Sequence, residues 1–100
     1  MAELRAISFL RRRGYRVIHI RWRGGGGEID LIAKDGITTV FIEVKSAPRL
    51  GQGAQRVDKS KAMHLHDAAN AYLAQHQTDQ YRYEILEDSD AGFRLIRNGF

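Results

Sequence analysis

The chain has 100 residues, 43% hydrophobic and 28% charged, with a formal net charge of +4. That is enough for one domain over residues 1–100 with a modest core, and the composition excludes intrinsic disorder. There is no cysteine, no apolar run of the roughly 18 residues a membrane span needs and no signal-type stretch near the N-terminus, so no membrane partner is expected and the cytoplasm is the expected location.

Residues 3–13 read as a helix, with Leu4, Ala6, Ile7 and Leu10 recurring on one side. Arg11, Arg12 and Arg13 fill its last turn and Gly14 follows, a cationic end and a glycine stop. Residues 15–22 (YRVIHIRW) have strand composition, Gly24 to Gly27 break the chain, and residues 28–33 (EIDLIA) read as a second strand. Asp35-Gly36 is a two-residue hairpin signal leading to a third strand over residues 38–45 (TTVFIEVK). Pro48, Gly51 and Gly53 mark residues 46–57 as a mobile connection. A second helix is expected over residues 59–76, capped by Asp58, with Ala62, Leu65, Ala69, Tyr72 and Leu73 as its core stripe. Residues 81–86 and 93–97 are the remaining strands. The order α-β-β-β-α-β-β implies an α/β (α+β) mixed sheet with flanking helices.

The charge is unevenly spread. Residues 1–27 hold seven arginines and one carboxylate, a net +6, while residues 28–100 hold nine bases and eleven acids, a net −2. Clustered arginine is the footprint of a nucleic-acid binder, and Arg11, Arg12, Arg13, Arg21 and Arg23 are the candidate phosphate contacts. The bland alternative is a solvated basic face.

The second and third strands carry the candidate chemistry. With Asp35-Gly36 as the turn, Lys34 faces Ile37, and Ile29, Leu31 and Ala33 share an apolar face with Val40, Ile42 and Val44. The other face carries Glu28, Asp30 and Ile32 beside Phe41, Glu43 and Lys45, with Glu28 opposite Glu43 and Asp30 on its diagonal. A slip of one residue would bury charge, whereas a slip of two keeps the parity and sets Asp30 directly opposite Glu43. Converging carboxylates repel, and a divalent cation is the obvious offset. Mg²⁺ takes one or two carboxylates together with water and phosphate oxygens. Lys45 would then stand beside the ion, where it can orient or deprotonate water. Alternatively it only neutralises Glu43 and Asp30 as a surface ion pair.

The spacing Asp30, twelve residues, then Glu43-x-Lys45 resembles the PD-(D/E)xK nuclease superfamily, the restriction-endonuclease-like fold. The words GEIDLIAKDG at 27–36, VFIEVK at 40–45 and VDKSK at 57–61 resemble the YraN family of uncharacterised bacterial proteins, which is similar to archaeal Holliday junction resolvases. The likeness extends to Glu3 in AELRAISFL and to the closing FRLIRNGF. It implies a Mg²⁺- or Mn²⁺-dependent endonuclease on DNA, including branched DNA. Asp30 and Glu43 would ligate the metal with the Val44 carbonyl, Lys45 would position the attacking water, and Glu3 would lie on the rim. Ala47 stands where relatives often have arginine, and Ala2 replaces their usual glycine. The competing expectations are a catalytically inactive nucleic-acid-binding module of the same fold and a protein-interaction domain with a purely structural acidic cluster. A homodimer is the assembly considered. Gly24 to Gly27 read as a turn rather than a phosphate loop, because no Gly-Lys-Ser/Thr follows.

Overall fold

The structure, a computed structural model, describes residues 2–46, 59–78 and 80–97, without the side chains of Ala2, Glu3 and Lys59. The elements are α1 (Ala2–Arg12), β1 (Arg16–Gly24), β2 (Gly27–Asp35), β3 (Thr38–Ser46), α2 (Lys59–Gln75), β4 (Tyr81–Ser89) and β5 (Gly92–Arg97). The sheet runs β1-β2-β3-β4-β5 in chain order. Neighbouring strands are antiparallel except β3 and β4, which are parallel and joined by the crossover that contains α2. Among the described residues, the fold is therefore a mixed α+β sheet of five strands with two helices. The Asp58 cap and residues 47–57 of the connection lie outside the described residues.

Alternation along the central strands divides the core in two. Leu31, Ala33, Val40, Ile42 and Leu86 pack under Ala6, Ile7 and Leu10 of α1. Ile32 and Phe41 point the other way, under Leu65, Ala68, Ala69 and Tyr72 of α2. Each of these large side chains, fully withdrawn from water, stabilises by about 1.5–3 kcal/mol. Two expectations fail. Leu4 is 63% exposed, and the apolar face of α1 begins at Ala6. Ile29 leaves the Leu31 face and joins the α2-side cluster together with Trp22, its partner on β1. The alternation breaks beside Arg21, which has a positive φ of 53°.

The hairpin register also departs from the first expectation. Asp35 pairs with Thr38, so Gly36-Ile37 is the two-residue loop. Gly36 has φ +62°, and among the described residues Arg21 is the one non-glycine residue with positive φ. Glycine at the first central position is what a II′ turn requires. Asp35 thus stays in the strand, where its carboxylate accepts a hydrogen bond from Arg82 Nη2 at 2.7 Å. Leu31 consequently lies opposite Ile42, two residues from the Asp35-Gly36 register, and the parity is kept.

Arg82 is also the hub of a buried polar network. Glu84 is fully buried and accepts from the Tyr15 hydroxyl at 2.7 Å, from Arg82 Nε at 2.9 Å and from Arg97 Nε at 3.0 Å. Arg82 Nη2 also donates to the Tyr15 hydroxyl at 2.8 Å. Burial, and then the bond to Glu84, push the Tyr15 phenol up. The network joins the turn after α1 to β2, β4 and β5. Removing one partner of a buried charge is costlier than the pair is worth. Arg82→Met should therefore lower unfolding free energy by about 3 kcal/mol in urea titrations, whereas Leu4→Ala should change it by under about 0.5 kcal/mol. Equal effects would contradict this assignment.

Candidate functional site

The β2–β3 register runs up to the Leu31–Ile42 pair, and continuing it by one residue sets Asp30 level with Glu43. The Asp30 Oδ2 accepts a hydrogen bond from the Val44 backbone N–H at 2.8 Å. Glu43 is 3% exposed at its side chain, and its Oε2 makes an ion pair with Lys61 Nζ of α2. That oxygen is buried and has no well-directed hydrogen bond. Asp30, Glu43 and Lys61 open into a cleft of about 570 Å³, walled by Arg23, Glu28 and the β1–β2 turn on one side and by His64 and Leu65 on the other.

The glycine run builds that wall. Gly25 and Gly26 have φ of +60° and +85°, the pair of left-handed residues a I′ hairpin turn needs. A Cβ on Gly27 would fall on the His64 carbonyl oxygen, so only glycine lets the turn lie flat against α2. The run is a hairpin turn docked on a helix.

Of the expected site residues, the structure unites Asp30 and Glu43, with Val44 attached through its N–H. Lys45 is half-buried on β3, level with Glu87 of β4, and is not among the residues lining the cleft. Glu3 falls in the first turn of α1, and its side chain lies outside the described residues. Glu28 does not face Glu43. It pairs across β1 with Arg23, whose Nε donates to Glu28 Oε2 at 2.7 Å. The arginines separate in space. Arg23 borders the cleft, Arg21 is exposed on β1, and Arg11, Arg12 and Arg13 are exposed at the end of α1, the helix on the opposite face of the sheet. Among the aromatic residues, Tyr15 is buried and Trp22 packs edge-on against Tyr72 with centroids 5.3 Å apart.

Lys61 was not among the expected residues. It falls within VDKSK, but nothing in the spacing of a helix lysine ties it to a hairpin eighteen residues away. Only the packing of α2 across β2 brings the two together.

Burial pushes the Glu43 carboxyl above its ordinary value, the Lys61 ammonium pulls it back, and Asp30 pushes it up again. Asp30 and Glu43, two adjacent carboxylates of which the second is buried, are the donors a hard divalent cation would take here. Among the described residues no three His, Asp or Glu side chains are grouped to hold an ion, so water or phosphate would have to complete the shell.

Because its folded carboxyl is raised, Glu43 favours the fold when protonated. That contribution is full below the unfolded value and is lost as pH rises through the folded one. Glu43→Gln should therefore be more stable than the wild type at pH 7 in metal-free buffer. The margin should shrink as pH falls toward the carboxylate range, as followed by melting temperature. A variant less stable at every pH would mean that the Glu43–Lys61 pair holds the sheet to α2.

The comparisons with known proteins agree with one another. A UPF0102 protein of Ruegeria pomeroyi is 35% identical over 99% of this chain and 84% of its own length. One from Caldicellulosiruptor saccharolyticus is 32% identical over 98% of this chain and 92% of its own. A third, from Thermotoga neapolitana, is 40% identical over 74% of this chain and 69% of its own. The profile of this family matches residues 2–87, which takes in both helices, the paired carboxylates and Lys61, and the chain accordingly belongs to the Uncharacterised protein family UPF0102.

Proposed function

We propose that the cleft hydrolyses phosphodiester bonds in DNA with the help of Mg²⁺ or Mn²⁺. The observation that supports this most is the meeting of Asp30 with the buried Glu43 at the floor of an open cleft. Asp30 and Glu43 are the residues to hold the ion, with the Val44 carbonyl as a further donor. When bound, such an ion polarises a phosphate oxygen and lowers the pKa of water. Asp30 is oriented for this work by the Val44 N–H, which donates to its Oδ2. Lys45, close along β3, is the candidate to position water, and Glu3 is the candidate on the rim. Branched DNA is the substrate class implied by the likeness to Holliday junction resolvases.

Arg23 is the arginine best placed for a strand entering the cleft, because its guanidinium is exposed beside it while Arg11, Arg12 and Arg13 extend from the other layer. A second reading, an inactive DNA-binding module, draws on the position of Lys45 outside the cleft lining.

Cleavage of duplex, single-stranded and four-way-junction DNA with Mn²⁺ or Mg²⁺ separates the two. Asp30→Asn and Glu43→Gln should lower turnover at least about a hundredfold, near 3 kcal/mol of transition-state stabilisation, with melting temperature level or higher. DNA binding without cleavage in the wild type would leave the inactive module. Arg23→Gln should weaken binding across sequences and reduce the slope of log affinity against log salt by about 1. An affinity independent of salt would remove DNA as the partner.

A further inference from the structure

Among the described residues, Lys61 supplies the one ammonium in contact with the paired carboxylates. The two partners differ in freedom. Glu43 is fixed, 3% exposed on a central strand, whereas the Lys61 side chain is 51% exposed at the start of α2. Leu65, Ala68, Ala69 and Tyr72 attach the helix to the sheet. Lys61 can therefore leave Glu43 for solvent by rotating its four-carbon stem, without disturbing the core. The contact is an ion pair at Glu43 Oε2, between an exposed ammonium and a buried carboxylate. A divalent cation bound through Oε2 would occupy the same oxygen, and two cations cannot share it without strong repulsion.

We infer that Lys61 is the resident counter-ion of Glu43 and that it competes with a divalent cation for that carboxylate. The cleft then has two forms, one held by the ammonium and one by the ion. In the second form Lys61 is released at the mouth of the cleft, where an anionic substrate would arrive. This inference rests on the metal-binding reading above and makes Lys61 a positioning residue that governs when the carboxylates are available.

Calorimetric titration of Mn²⁺ into the intact protein tests it. Lys61→Met should bind Mn²⁺ about tenfold more tightly than the wild type, since no ammonium has to be displaced. Lys61→Arg should bind like the wild type, and Asp30→Asn should bind weakly in either background. Without metal, Lys61→Met should melt lower than the wild type, because Glu43 loses its partner, and Mn²⁺ should restore the difference. Should that variant fail to fold, the wild type still decides the matter. Its Lys61 side-chain NMR signals should move toward those of a solvated lysine as Mg²⁺ shifts the Glu43 carboxyl. Lys61→Met affinity equal to or weaker than wild type, or Lys61 signals that stay fixed while Glu43 responds, would overturn the inference while leaving the nuclease reading intact. The affinity change without DNA cleavage would sink the nuclease reading alone. No Mn²⁺ binding by any form would sink both.

Discussion

The pairing of β2 with β3 is the constraint from which the candidate site follows. Gly36 takes positive φ at the head of the loop, and this sets Asp35 opposite Thr38 and Leu31 opposite Ile42. Counting back, Asp30 comes beside Glu43. Two neighbouring carboxylates would repel across a bare ladder. Here the Val44 N–H binds one and the Lys61 ammonium faces the other. A different even register would keep the same apolar residues buried but separate the acids. The core therefore fixes which face they occupy, and the turn fixes whether they meet.

The rest of the fold supplies what two strands alone lack. The parallel β3–β4 pair requires a crossover, and α2 within it lies across β2. Through Lys61 the helix brings a cation, and through His64 and Leu65 a second wall. The glycine turn of β1–β2 rests on the backbone of the same helix, so both sides of the cleft are anchored to one element. On the opposite face the Glu84 network links β4 and β5 to Asp35 at the hairpin end through Arg82. Two of the buried acids among the described residues, Glu84 and Glu43, thus serve different ends. Glu84 is saturated by three donors, while Glu43, among the described residues, is paired with the half-exposed ammonium of Lys61. The first arrangement is suited to stability and the second to exchange.

Most elements were legible from local pattern. Alternation in DLIA and VFIEV, glycines between strands and helical spacing over Leu65, Ala69 and Tyr72 are short-range signals, and the observed elements begin and end within a few residues of where they point. The exact hairpin register was not legible, because two candidate turns, Asp35-Gly36 and Gly36-Ile37, bury the same side chains. The long-range contacts were not legible either. Arg82 with Asp35 and Lys61 with Glu43 join segments whose proximity depends on the crossover. The arginines near the N-terminus are divided between elements, with Arg11, Arg12 and Arg13 at the end of α1 and Arg21 and Arg23 on β1. The helix break at Gly14 turns the chain from α1 into β1 and so divides them.

Anomalous diffraction from crystals soaked in Mn²⁺ would show whether Asp30 and Glu43 form one ion-binding centre. A single strong peak is expected between the two carboxylates, within about 2.0–2.3 Å of an oxygen of each, with Lys61 withdrawn from Glu43. A peak elsewhere, or none with Lys61 still on Glu43 at saturating Mn²⁺, would contradict it.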